Sequence, residues 1–178
     1  LDAMIASKRV VLGTDELTEA GPNVVFVDED LAAADAEVGS ALFGVGTGSV
    51  FRRLPYEVGG LRSLAVVAVD RLRDTPTPRA VFGSEGAWID YHGPTGNDDA
   101  MPFVAFEDVI SGAPSLSRVE DAIVVVGNTA NNLGDVEPTP FGGIPMPGAE
   151  IHANAISTLL RGVPLRDAAG WLNVLILL

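Results

Sequence analysis

The densest group of polar side chains follows the most apolar run of the chain. Ala122-Ile-Val-Val-Val126 leads directly into residues 127–135, here called the polar loop. If the apolar run is a buried strand, its carboxyl end is where open α/β sheets bind ligands, because backbone and side-chain amides converge there. The side chains of this loop that could contact a ligand are those of Asn128, Thr129, Asn131 and Asp135. The alternative is that they only cap and turn the backbone.

His152 is the second candidate. It lies in a predicted helix, Ala149 to Arg161, that Gly162 ends. The inward face of this helix is predicted to carry Ala149, His152, Ala153, Ile156, Leu159 and Leu160, and the outward face Glu150, Asn154, Ser157 and Arg161. An inward histidine is typically a core residue that is hydrogen-bonded, here to the preceding Pro/Gly-rich loop or to Asp135. If His152 has a function, pH sensing is favoured over catalysis.

Asp90 lies in a predicted strand, Ala87 to Tyr91, and His92 is the residue that follows it. Strand alternation places both side chains on one face, so together they could supply two metal ligands. Asp98 and Asp99 follow in the next turn. Two ligands do not make a metal site and acidic turns are common, so we expect no metal here. Asp90 is kept as a candidate ligand contact.

Other catalytic chemistries lack their motifs. The chain has no cysteine, no Gly-x-Ser-x-Gly elbow, no dinucleotide fingerprint and no P-loop lysine. We therefore predict no catalytic residue and no cofactor. The 11 basic against 24 acidic residues give a net charge of -13, which would repel a phosphate backbone and so excludes nucleic acid as a partner.

Short apolar runs and helical stripes alternate along the chain. Strands are predicted at Arg9–Leu12, Val24–Val27, Arg79–Phe82, Ala87–Tyr91 and Ala122–Val126. Helices are predicted at Leu61–Leu72, at Glu107–Ile110 before Gly112, and at Ala149–Arg161. With 178 residues and no long linker, this pattern predicts one layered α/β domain, a mixed sheet with helices packed on it.

The two ends of the chain invite a separate interpretation. Residues 171–178 are apolar except for Asn173, and so they could form a docked core helix or the first turns of a membrane helix. Residues 1–7 contain neither an initiator Met nor a signal peptide, and resemble the tail of a helix that continues into a strand.

Several stretches carry a resemblance to a known family. They are Ile89-Asp-Tyr-His-Gly-Pro94, residues 106–110, residues 122–129, Leu133-Gly-Asp135, Pro138-Thr-Pro140 and above all Met146-Pro-Gly-Ala-Glu-Ile-His-Ala-Asn154. Together they resemble the CHASE type-two sensor domain of bacterial membrane receptors. The likeness is specific over residues 86–165 and looser over residues 23–85.

The resemblance implies a non-catalytic, extracytoplasmic α/β sensor placed between membrane helices, with a nucleotide cyclase or kinase module in the cytoplasm. It divides the chain into residues 1–165, an N-terminally truncated sensor domain, and residues 166–178, the start of a transmembrane helix. It further implies an unknown small-molecule ligand, a homodimer and a bacterial cell membrane with this domain facing the periplasm or the exterior. Two alternatives from other classes are an exported α/β hydrolase and an interaction module that senses nothing.

Two positions depart from what the resemblance implies. His92 stands where the family more often carries Arg before Gly-Pro, which puts anion recognition at that position in doubt. Arg161 and Arg166 precede the predicted membrane segment on its outer side, where the positive-inside rule expects fewer basic residues.

Overall fold

Helices and very short strands alternate through the computed structural model, which describes residues 1–18, 21–24, 28–43, 50–96, 101–129 and 135–168. The helices are α1 (Asp2–Ser7), α2 (Asp28–Ala34), α3 (Leu64–Arg73), α4 (Phe106–Ser111) and α5 (Gly148–Leu160). The strands are β1 (Val11–Thr14), β2 (Leu17–Thr18), β3 (Gly21–Pro22), β4 (Glu37–Ser40), β5 (Arg53–Leu54), β6 (Glu57–Val58), β7 (Leu61–Arg62), β8 (Ala87–Trp88), β9 (Val136–Glu137) and β10 (Met146–Pro147). Two 3-10 turns occupy Arg79–Phe82 and Pro114–Val119. The predicted mixed α/β class is confirmed.

The strands associate in pairs. β1 and β4 are parallel, in register from Val11 opposite Glu37 to Thr14 opposite Ser40. The pairs β2–β3, β5–β8, β6–β7 and β9–β10 are antiparallel. Within the described ranges the chain therefore has five two-stranded sheets where one mixed sheet was expected.

Helix α3 lies at the centre of the packing. It contacts β1 and β4 on one side and α5 on another. Val66 and Val67 are fully buried, whereas Leu72 is 60% exposed. The predicted helix Leu61–Leu72 is thus partly wrong: Leu61 lies in β7, and Leu72 is exposed. Contacts on two sides of α3 bury Val66 and Val67, which lie off the predicted apolar stripe.

The run Ala122 to Val126 does not form the predicted strand. Ile123 and Val125 pack against the core, whereas Val124 is 53% and Val126 84% exposed. No strand in the described part of the chain pairs with this segment. The prediction was wrong because an uninterrupted apolar run was assumed to be buried on both faces, and here only alternate side chains are buried.

The other predicted strands are confirmed only in part. Arg79–Phe82 is a 3-10 turn after Pro78, and only Phe82 in it is buried. The strand predicted at Ala87–Tyr91 is confirmed for its first two residues, and the one at Arg9–Leu12 lies two residues further on. In the run Val24–Val27, positions 25–27 fall outside the described residues.

Both later helices end and begin close to the predicted positions. Helix α4 ends at Ser111, and the next residue, Gly112, adopts the left-handed conformation that favours glycine. Helix α5 begins one residue before the predicted start and ends one before the predicted end. Within the described ranges, no helix combines the length and the apolarity that a membrane crossing requires. Residues 169–178, which include most of the predicted membrane segment, are outside those ranges.

Candidate functional site

Helix α5 holds the segment Ile89–His92 through buried polar side chains. The Asp90 N–H donates to Thr158 Oγ1 at 2.9 Å, and the His92 N–H donates to Asn154 Oδ1 at 3.0 Å. The acceptors of these two backbone N–H groups are thus side chains one turn apart on α5. In a β-sheet, the carbonyls of a neighbouring strand would accept these bonds instead. Asn154 was predicted to face solvent and is only 1% exposed, so that prediction was wrong.

The side chains of Asp90 and His92 also face α5. The Asp90 carboxylate forms an ion pair with Arg161, and Arg161 Nη2 donates to the Asp90 carbonyl at 2.9 Å. His92 Nε2 lies 2.8 Å from Ser157 Oγ. Both groups that could have shared a metal are therefore engaged with the helix. Among the residues that the structure describes, no three His, Asp or Glu side chains come together as a metal site requires, and Asp98 and Asp99 are outside that set.

His152 points into the protein, as predicted. Its Nε2 lies 3.2 Å from the Ala41 carbonyl, and its ring centroid lies 4.4 Å from that of Phe43. The partner is therefore neither Asp135 nor the Pro/Gly-rich loop. Since a carbonyl only accepts, Nε2 carries the proton, and Nδ1 has no hydrogen-bond partner among the described residues. Burial lowers the pKa of His152 to about 4, against the opposing effect of the bond to Ala41, so the ring is neutral at pH 7.

Both described ends of the polar loop lie against the first two residues of α5. The Gly148 N–H donates to the Asp135 carbonyl at 3.1 Å. The Asp135 carboxylate occupies the space that a Cβ on Gly148 would need. At the other end, a Cβ on Gly127 would lie 2.6 Å from the Cβ of Ala149. An anionic side chain at a helix N-terminus also interacts favourably with the helix dipole.

The remaining loop candidates differ in their exposure. Asn128 is half-buried, Thr129 is exposed, and Asn131 lies outside the described residues. His152 belongs to α5 itself, whereas Asp135 contacts its first residue, Gly148, and Asp90 contacts Thr158 near its end. These two contacts are ten residues apart on the helix, which is about 15 Å along its axis. These three candidates therefore lie along one helix and, in the part of the chain that the structure describes, do not converge on a single pocket.

A second polar cluster was not predicted. Arg53 and Trp88 are opposite residues in the β5–β8 pair, and the guanidinium carbon of Arg53 lies 3.8 Å from the Trp88 ring centroid. Asp167 joins them: Arg53 Nη2 lies 2.5 Å and Trp88 Nε1 2.8 Å from Asp167 Oδ1. The bonds from Arg53 and then Trp88 lower the pKa of Asp167. We call Arg53, Trp88 and Asp167 the clasp.

Comparison with known proteins gives one match. The family model described as CHASE2 domain matches residues 1–178, which is the entire sequence. No curated protein matches the chain. No solved structure matches it either.

Proposed function

Because the chain belongs to the CHASE2 family of extracytoplasmic sensor domains, we propose that it is the ligand-sensing domain of a bacterial membrane receptor. Membrane helices would pass its state to a cytoplasmic nucleotide cyclase or kinase module. A CHASE2 domain senses and does not itself catalyse, so catalysis belongs to the output module. A homodimer is part of the proposal, since receptors commonly signal through a change in subunit packing.

One observation carries the mechanism: both described ends of the polar loop abut Gly148 and Ala149 at the start of α5. A ligand that prefers one loop conformation would change the free energy of the helix positions compatible with it. The shift can be no larger than the difference in ligand affinity between the two states. The loop is thus the proposed receiving element.

Helix α5 is suited to transmit such a shift. It is 13 residues long and buried along most of its length, including Ile151, Ala155 and Leu159. Its last carbonyls, those of Leu159 and Leu160, accept hydrogen bonds from Arg73 of α3 at 3.4 and 2.9 Å. A displacement at its first turn would therefore move the whole helix together with the chain that follows it.

The proposal is tested by crowding the contact between loop and helix in the full-length receptor. Gly127→Ala places a methyl group 2.6 Å from the Ala149 Cβ at an exposed glycine. We expect a severalfold change in basal cyclase or kinase output of membrane preparations, because the loop must move away from α5. The matched control is the double variant Gly127→Ala/Ala149→Gly, which removes the opposing methyl group and should return output toward wild type. Wild-type output from the single variant, with normal folding, contradicts the mechanism.

Binding is tested separately on the chain itself. Ligands that bind only the native state raise its melting temperature, so a library of small metabolites is screened by thermal shift. For a ligand recognised by the polar loop, Thr129→Ala and Asp135→Asn should reduce the shift, whereas a variant of the exposed residue Leu72 should not. If every hit keeps its full shift in both loop variants, the loop is not the binding site.

A further inference from the structure

The clasp holds its guanidinium in a fixed position. The Trp88 ring lies beneath it, and Arg53 Nη1 donates to the Gly86 carbonyl at 3.0 Å. Stacking and this bond together restrict the rotation of the arginine side chain. Its Nη2 then points, together with the indole N–H of Trp88, toward one place on the surface. A planar cation and an indole N–H presented side by side are complementary to a carboxylate.

Asp167 shows that a carboxylate fits this place. Its Oδ1 accepts from both Arg53 Nη2 and Trp88 Nε1, and its Oδ2 lies 3.5 Å from Arg53 Nη1. The Asp167 side chain is nevertheless 66% exposed, so the carboxylate lies at the mouth of the site. Another carboxylate, that of Glu85, lies 3.7 Å from Arg53 Nε and is largely exposed. An exposed ion pair of this kind is weak enough for a competing anion to displace.

A cavity of about 170 Å³ opens beside the clasp. Its lining includes the clasp itself and the apolar side chains of Val81, Phe82, Val163 and Leu165. Arg166 lines it as well and adds a second positive charge. The space thus places apolar side chains next to two anion-binding groups, so it offers contacts to both ends of a small ligand that has a carboxylate and an apolar body.

We propose that Arg53 and Trp88 form a carboxylate-binding site, filled by Asp167 of the same chain, at which a small carboxylate with an apolar body competes. The ligand's carboxylate takes the place of the Asp167 carboxylate, and its apolar body enters the cavity. The site is separate from the polar loop, so the inference goes beyond the proposed sensing mechanism and does not depend on it.

Benzoate is the probe, and neutral benzamide, which has the same ring, is its control. The ¹⁵N-labelled chain is titrated with each, and the indole N–H resonances of its two tryptophans are followed by NMR. The Trp171→Phe variant assigns the Trp88 resonance. Benzoate should shift the Trp88 resonance in a saturable manner, because its carboxylate replaces that of Asp167 as the acceptor. Benzamide should shift it at least about tenfold less effectively, since hydrogen bonds to a charged acceptor are roughly twice as strong.

The variant that decides the question removes the Asp167 carboxylate, which competes with the ligand for the site. Asp167→Ala should bind benzoate about tenfold more tightly by calorimetry, because the site is then free and no fraction of it is closed by the side chain. Misfolding cannot mimic a gain in affinity. Trp88→Phe keeps the ring beneath the guanidinium but loses the N–H donor, and should weaken binding about tenfold. Glu107→Gln removes the charge of an exposed acid on α4 that does not line the cavity, so it is the matched charge control and should change binding less than twofold.

Two results would overturn the inference. If benzamide binds as tightly as benzoate, the cavity recognises only the apolar ring. If Asp167→Ala does not tighten benzoate binding, Asp167 does not occupy the ligand's place. The two proposals have separate readouts. Gly127→Ala tests the polar loop through receptor output, whereas benzoate titration tests the clasp, so either proposal can fail while the other holds.

Discussion

Acidification from pH 7 to pH 5 should destabilise this chain through His152. The ring is buried beside Phe43 and neutral, with a pKa lowered to about 4. In the unfolded chain a histidine has a pKa near 6.5. Between these two values the unfolded state binds a proton that the native state does not. Stability therefore declines as the pH falls from about 6.5 toward 4, and above about 6.5 the residue has no such effect.

The size of the effect follows from the two pKa values. Linkage gives a loss of about 2 kcal/mol between pH 7 and pH 5, and about 3 kcal/mol over the whole interval. Burial is the cause, because the charged ring would lose its hydration and, among the described residues, gain no carboxylate partner. The Ala41 carbonyl is the hydrogen-bond partner of its Nε2, and Nδ1 is without one among the described residues.

Urea unfolding at pH 7, 6 and 5 measures this loss, with the free energy of unfolding obtained by linear extrapolation. His152→Gln keeps an amide that can donate to Ala41 and removes the titrating group. The wild type should therefore lose about 2 kcal/mol more than this variant over the same interval. Leu72→Ala, at a residue that is 60% exposed, leaves both histidines in place and is the control that should keep the wild-type pH dependence. Equal pH dependence in wild type and His152→Gln would refute the argument.

Two further substitutions test the packing around α3 by urea unfolding. Gly39→Ala should lower the free energy of unfolding by about 2–3 kcal/mol, because its Cβ would lie 2.6 Å from the backbone of the first residue of α3. Gly13 lies opposite Gly39, and the tightest contact of a Cβ there would be the flexible end of a leucine side chain at 3.2 Å. Gly13→Ala should therefore change stability by less than about 1 kcal/mol. Asp70→Asn removes a buried charge that pairs with Arg62 at 2.6 Å and should cost about 1–3 kcal/mol, whereas Asp35→Asn, at an exposed ion pair, should cost less than about 1 kcal/mol. Equal costs within either pair would contradict these packing and charge arguments.

Local signals in the sequence were sufficient for the ends of α4 and α5, but they placed the start of α3 three residues too early and did not indicate α2. Gly112 and Gly162 follow the last apolar turns of α4 and α5, and glycine there relieves the strain of ending a helix. The inward position of His152 also follows from helical periodicity alone. The family resemblance, carried chiefly by residues 146–154, is confirmed by the match over the whole chain.

What the sequence did not predict depends on contacts between distant residues. Asn154 looks like a surface residue by periodicity, yet it is buried because its side chain bonds to the His92 N–H, 62 positions away. The clasp joins residues from β5, β8 and the chain after α5, and Asp167 is 114 positions from Arg53. Composition and spacing contain no signal for such a meeting. The strand predicted at residues 122–126 was wrong for a related reason. A strand needs a neighbouring strand to pair with, and the apolar pattern of one segment does not show whether such a neighbour exists.

The hydrogen bonds between α5 and Ile89–His92 are expected to make the helix and this segment move together. If α5 slid by a single residue, the N–H groups of Asp90 and His92 would lose Thr158 and Asn154, at a cost of about 1–3 kcal/mol for each buried donor. The helix is therefore expected to carry Ile89–His92 with it. The Ile89 N–H in turn donates to the Arg52 carbonyl at 2.9 Å, beside the strand pair that presents the clasp. A displacement of α5 would thus reach the strand pair that presents the clasp.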